Sequence, residues 1–216
     1  MGKKIVSRQF ALDCVRDFMA LGGMADLDYL ICGSLRRMNE EVGDADLIVV
    51  GKFPNTGRSE KYKESGAEKT RTYNYKGLQI NMWTCDFDQI GSFCLYATGS
   101  GKFNQILRRI AIDKQMKLSQ YGLFDRKTNK LIARQSEKEI FNKLGFFYIP
   151  PHLRDGDNIN AKLKAYKMRH KVDRSYVESL IGRVSDKKLY PNLSRNMLPI
   201  EMTIPLTLKD FLKRKS

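Results

Sequence analysis

A chain of 216 residues suits one ordinary domain or two small lobes with a modest shared core, and two lobes are expected here. Its 42% hydrophobic and 29% charged residues, with ten tyrosines and eleven phenylalanines, exclude a wholly disordered polymer. The formal net charge of +15 points to a polyanionic partner, either nucleic acid or an anionic membrane surface.

No apolar run approaches the roughly 18 residues that span a bilayer. The start, Met1-Gly2-Lys3-Lys4-Ile5-Val6, lacks the apolar stretch of a signal peptide. The expectation is an intracellular, cytoplasmic protein that works without a membrane, with a nucleoid-associated or viral setting also open. Gly2 makes no myristoylation signal, because Val6 stands where Ser or Thr is needed. Cys14, Cys32, Cys85 and Cys94 form no close pair such as CxxC, and His152 and His170 stand apart, so neither zinc nor disulfides are indicated. They read as buried reduced thiols and surface imidazoles.

Residues 8–21 carry Phe10, Cys14, Val15, Phe18, Met19 and Leu21 at helical spacing, and Gly22-Gly23 stops the pattern. Tyr29-Leu30-Ile31-Cys32 is a short strand ending at Gly33-Ser34, after which Leu35-Arg36-Arg37-Met38 opens a helix with Ser34 as its cap. Residues 44–50 read as a second strand, and a polar loop follows to about Lys69. Residues 71–75 and 78–83 flank Lys76-Gly77 as a hairpin, with Leu78, Ile80 and Met82 on one face and Gln79, Asn81 and Trp83 on the other. Residues 103–118 are helical by pattern, 120–134 read as short strands with a turn at Lys127-Thr128-Asn129, and Ser136-Glu137-Lys138-Glu139 opens another helix before Pro150-Pro151. Beyond Asp155, helices are expected near 160–171 and 174–184.

Asp44 and Asp46, two apart on a strand, leave the same face and can grip one hard divalent cation between them. By itself such a pair is more often a solvated polar edge. Its neighbourhood argues otherwise: the Gly33-Ser34 turn can offer backbone N–H groups to phosphate, and Arg36-Arg37 adds positive charge beside it. Gly99-Ser100-Gly101-Lys102 looks like the end of a P-loop, but Tyr96 and Phe103 stand where that motif needs Gly and Ser or Thr.

Gly33-Ser34-Leu35-Arg36-Arg37, six residues, then Asp44-Ala45-Asp46 resembles the signature of the family X DNA polymerases, the polymerase beta type. The likeness continues through Leu95-Tyr96-Ala97-Thr98-Gly99-Ser100, Phe103-Asn104, Arg108, Ser119-Gln120-Tyr121-Gly122-Leu123, Ser136-Glu137-Lys138-Glu139-Ile140-Phe141 and Phe147-Tyr148-Ile149-Pro150-Pro151, so it covers about residues 28–154. The resemblance implies an α/β (α+β) nucleotidyltransferase fold, a mixed sheet with flanking helices plus a smaller C-terminal lobe. The expected division is a palm-like catalytic lobe over 1–95, a lobe contacting nucleotide and DNA over 96–154, and a basic helical extension over 155–216. It implies DNA polymerisation by two-metal nucleotidyl transfer, filling short gaps in repair, with Mg2+ (or Mn2+), a dNTP and a primer–template or gapped duplex as partners. A monomer is expected, and a ligase partner is left open.

Carried over residue by residue, the resemblance gives Gly33, Ser34, Arg37 and Gly43 to the triphosphate site and Asp44 and Asp46 to the metals. Tyr96 and Gly99 lie against the incoming sugar, Asn104 and Arg108 touch nucleotide and template minor groove, and Tyr121 falls among the DNA-contacting positions. The third catalytic and metal-binding carboxylate of the family falls at Asn81, with Asp86 or Asp88 as the next candidates. An amide there predicts triphosphate binding with crippled chemistry, whether the residue is natural or an isosteric replacement made by design. Ala97 departs from the bulkier neighbour of Tyr96 expected in polymerase beta and bears on ribonucleotide exclusion. Only about 27 residues precede the first sheet strand, which leaves no room for a lyase lobe or helix-hairpin-helix modules. Residues 155–216 carry 14 Lys or Arg against 7 Asp or Glu, an excess that can replace that missing grip on DNA or coat ordinary helices. Other readings stay open: a template-independent or RNA-directed nucleotidyltransferase, or a non-catalytic binder of DNA or nucleotide.

Overall fold

The computed structural model describes residues 4–21, 24–53, 63–67, 69–156 and 159–167. In chain order come β1 (Val6–Ser7), α1 (Arg8–Met19), β2 (Tyr29–Ile31), α2 (Gly33–Arg36), β3 (Glu41–Val42), β4 (Asp44–Val50), β5 (Lys63–Ala67), β6 (Thr70–Tyr75) and β7 (Leu78–Cys85). After a 3-10 turn at Phe87–Gln89 follow α3 (Ile90–Thr98), α4 (Gly101–Asp113), β8 (Met116–Ser119), β9 (Gly122–Asp125), β10 (Leu131–Ala133) and α5 (Glu137–Leu144). A second 3-10 turn at Pro151–Leu153 precedes α6 (Ile159–Tyr166). The expected mixed α/β architecture is present.

Five strands form the main sheet in the order β2-β4-β7-β6-β5. β4 and β7 run parallel, while every other neighbouring pair is antiparallel. Strand alternation sends Ala45, Leu47, Val49, Leu78, Ile80 and Met82 to one face, where they pack with Ala11, Cys14, Val15 and Phe18 of α1. The opposite face is apolar at one end only: Ile48 and Cys85 there meet Ile90, Phe93 and Cys94. At its other end the same face carries Asp44, Asp46 and Asn81, all half-buried. The β6–β7 hairpin closes at Lys76 (φ 51°) and Gly77 (φ 81°), two successive left-handed residues that match the twist of the strands.

The second lobe packs α4 and α5 against the three-stranded sheet β10-β9-β8 around Phe103, Leu107, Leu123, Ile140 and Phe141. Ile159, Leu163 and Tyr166 of α6 join this core, so its packing runs past residue 154, where the basic extension was expected to begin. The expected turn at residues 127–129 forms around Asp125, whose Oδ1 accepts from the Thr128 N–H at 2.7 Å and the Lys127 N–H at 3.1 Å.

The sequence reading fails at several elements: Cys32 rather than Ser34 is the N-cap of α2, which begins at Gly33, and β5 forms within the stretch expected to be a polar loop. The helix expected over 103–118 ends at Asp113, because Lys114 and Gln115 (φ 58°) turn the chain and residues 116–119 become β8. Helix α3 was not foreseen: it is buried on nearly every side, so it lacks the polar stripe that marks a surface helix. All four cysteines are buried free thiols, as expected, and His152 is partly buried. His170 and the helix expected at 174–184 lie outside the described residues. Among the described residues, no helix is long and apolar enough to cross a membrane.

Candidate active site

The parallel register sets Asp46 beside Asn81, and β2 runs back along β4 so that the chain leaving Ile31 turns next to Asp46. The Cys32 N–H donates to the Asp46 carbonyl at 2.7 Å, and Gly33 follows with φ 62°. A Cβ on Gly33 would lie 2.2 Å from Asp46 Oδ2. Only glycine fits that approach, and it brings the Gly33-Ser34 turn against the carboxylate.

Asn81 knits the carboxylates together. Its Nδ2 donates to Asp46 Oδ1 at 3.1 Å and reaches Asp44 Oδ2 at 3.4 Å. Its Oδ1 faces the other way, accepting from Gln79 Nε2 at 2.9 Å and from Thr72 Oγ1 at 3.3 Å. The amide hydrogens thus stand where a cation would sit between the two acids. Asp44 and Asp46 fit one divalent ion by donor type. For Asn81 to join them its amide must turn over, presenting Oδ1 to the ion and Nδ2 to Thr72, while Gln79 turns with it. Among the described residues, no group of three His, Cys, Asp or Glu side chains stands in metal-binding geometry, since the third position here is an amide.

The two adjacent arginines divide. Arg36 does not serve phosphate: it is buried, with Nη1 donating to Thr98 Oγ1 at 2.7 Å and Nη2 to Glu137 Oε2 at 2.8 Å. Arg154 Nη1 meets the other oxygen, Glu137 Oε1, at 2.6 Å, and its guanidinium lies 5.2 to 5.6 Å from the ring centroids of Phe103, Phe141 and Tyr148. Burial alone would push the Glu137 carboxyl up, but Arg154 and Arg36 outweigh it and hold it at about 2. Arg37 is the one near the site, with Nε on Asp155 Oδ2 at 2.8 Å and Nη1 on the Thr98 carbonyl at 2.5 Å. Burial raises the Asp155 carboxyl and Arg37 more than offsets it, leaving it below the usual range.

On the second lobe, Asn104 Nδ2 donates to the Tyr96 carbonyl at 2.7 Å, and Tyr96, Asn104 and Arg108 line one small hollow. Gly99 (φ 67°) borders Arg37, whose Nη1 would lie 3.4 Å from a Cβ there. Gly43 directly precedes Asp44 and is half-buried. Tyr121 is elsewhere: its ring meets Phe93 edge-on at 5.7 Å, near the far ends of β4 and β7. Asp88 pairs with Arg134, and Asp86 is exposed beyond the end of β7, so neither stands with Asp44 and Asp46.

Residues 93–155 match the family described as DNA polymerase beta thumb. The DNA nucleotidylexotransferases of Monodelphis domestica (30% identical over 92 residues) and Ambystoma mexicanum (35% over 78) are similar to 42% and 36% of this chain. DNA polymerase IV of Saccharomyces cerevisiae is 32% identical over 77 residues, 36% of this chain. These stretches amount to 18%, 15% and 13% of the respective relatives, so the chain spans less than a fifth of each. The Leishmania infantum polymerase beta in a ternary P/T complex has a similar fold, with TM-score 0.58, 22% identity, and coverage of 71% of this chain and 77% of that one. Over these stretches the chain is similar to family X DNA polymerases.

Within a family X frame, two features escaped the sequence reading. One is the Arg36–Glu137–Arg154 group, whose members lie far apart in the chain and look like surface charges until burial is known. The other is the approach of Cys32 Sγ to Cys94 Sγ, 3.9 Å apart in the core where α3 packs on the main sheet. Spacing in the sequence gives no sign of it, because Cys32, which caps α2, and Cys94 of α3 meet only through the fold.

Proposed function

We propose that this chain is a nucleotidyltransferase that adds nucleotides from a dNTP to a primer 3′ hydroxyl, filling short gaps in DNA as a monomer. The reading rests on one convergence: Asn81 within hydrogen-bonding reach of both Asp44 and Asp46, with Asp46 against the Gly33-Ser34 turn. Magnesium or manganese held by Asp44 and Asp46 would supply charge neutralisation at the triphosphate and a lowered pKa for the attacking hydroxyl. The chain's own groups do the positioning. Ser34 and Arg37 take the triphosphate, Arg37 being oriented by Asp155 and the Thr98 carbonyl. Tyr96 and Gly99 border the sugar, and Asn104 and Arg108 reach nucleotide and template. Asn81 contributes no negative charge, so binding outlasts turnover.

A second reading, template-independent addition, is favoured by the number of similar relatives named DNA nucleotidylexotransferase. Single-nucleotide extension of a gapped primer in magnesium, with and without the template strand, tests both. The parent chain, Asn81→Asp and the control Asp46→Ala should rank Asn81→Asp first and Asp46→Ala last. Equal inactivity of all three would leave a binder, and equal extension without template would establish the second reading.

A further inference from the structure

A cavity of about 230 Å³ opens at the end of β4 and β7 opposite the carboxylates. It sits beyond Val50, six residues from Asp44 along a strand, which is about 20 Å at the usual rise. Three cations line it, Lys52, Lys69 and Arg71, and so do three aromatic rings, Phe53, Phe93 and Tyr121. Arg71 already lies over the Phe53 ring at 4.7 Å, and the Tyr121 ring, 46% exposed, stands edge-on to Phe93. Lys52 and Lys69 are exposed at the rim, where Asp86 offers an acceptor for a base N–H.

Cations around one exposed ring, Tyr121, with the half-buried Phe53 beside it and the buried Phe93 as floor, suit a ligand that carries both phosphate charge and a flat apolar surface. The volume is below the roughly 300 Å³ at which whole small-molecule sites begin. It therefore takes one nucleobase, with the connected phosphates left outside on the lysines. We infer that this cavity is a second nucleic-acid site, which holds an unpaired base of a single-stranded segment while Lys52, Lys69 and Arg71 contact the adjoining backbone. A duplex keeps its bases stacked inside and cannot fill it. The site is separate from Asp44 and Asp46 and needs no metal, so its failure would leave the nucleotidyl-transfer reading where it stands.

The test uses the full chain in EDTA. Bromodeoxyuridine-substituted single strands are photocrosslinked and the modified peptides are mapped by mass spectrometry; adducts on Phe53, Phe93 or Tyr121 are expected, and adducts confined to other residues would overturn the site. Thymidine monophosphate in excess should leave the crosslink in place, since a crosslink it abolishes would make this a free-nucleotide pocket. The variant Lys52→Gln/Lys69→Gln should bind the single strand about 10-fold more weakly. Its slope of log affinity against log salt should be shallower by about 1.4, at roughly 0.7 per lost phosphate contact. Blunt duplex should bind it nearly as well as it binds the parent. An equal loss for duplex and single strand would mean unspecific charge and refute the assignment.

Discussion

Asn81 is a hydrogen-bond donor placed between two acceptors, and its substitution should show that before any chemistry is measured. Asn81→Asp removes the N–H groups that reach Asp46 and Asp44 and gathers three carboxylates, which repel one another without a cation. The melting temperature of Asn81→Asp should therefore fall in EDTA and gain more from magnesium than that of the parent; equal responses would mean the ion binds elsewhere. With magnesium, extension should rise by orders of magnitude, on the scale of roughly 3 to 4 kcal/mol for a charged catalytic contact. Gly33→Ala should destroy the site by contact, since its Cβ collides with Asp46 Oδ2 at a left-handed backbone position. Urea unfolding should report a loss of roughly 1 to 3 kcal/mol, and isothermal titration should show magnesium–nucleotide binding lost with it. The side of Asn81 was legible because strand alternation depends only on residue order. The burial of Arg36 was not, because a basic pair beside a glycine turn reads the same whether it faces phosphate or a carboxylate 101 residues away.

At the scale of elements, α5 is tied to α2 by charge. Glu137 opens α5, and its two oxygens answer Arg36 and Arg154. Its carboxyl is held at about 2 in the folded chain against an ordinary value of 4.5. Because the folded value is the lower one, the stability it confers is present above pH 4.5 and is lost as pH falls from there towards 2. Acid unfolding followed by circular dichroism should show a steep loss across that window, and Glu137→Gln should flatten it. The same change leaves two buried guanidinium groups short of charge, a cost of about 3 to 5 kcal/mol at neutral pH. Strand β4 and the β6–β7 hairpin were plain in the sequence, since each has alternation and a turn of fixed chemistry. Helix α3 was hidden because apolar residues on every side carry no period. The end of α4 was hidden because Met116 and Leu118 continue a pattern that one left-handed residue, Gln115, redirects.

For the whole molecule, the reach of α6 into the second core changes how the basic C-terminal part can be removed. Cutting at residue 155 would strip Ile159, Leu163 and Tyr166 from that core and confuse folding with DNA affinity. Ending the chain after Lys167 keeps all three. That truncation should retain the parent's melting temperature within a few degrees and bind gapped duplex with a shallower salt dependence, as fewer counterions are released. An unchanged slope would place the electrostatic grip within residues 1–167.

The arginine–glutamate–arginine group also bears on how this protein can change over generations. Its members sit at positions 36, 137 and 154: a substitution at Glu137 leaves two buried guanidinium groups unanswered, and one at either arginine leaves the buried carboxylate with a single guanidinium partner and a gap where the other was packed. Each single step is harmful, although a joint replacement by apolar residues of similar volume can be nearly neutral. The three positions should therefore be inherited as a block, all kept or all exchanged together. A library randomised at these sites and selected for folding should return that correlation, with mixed combinations missing.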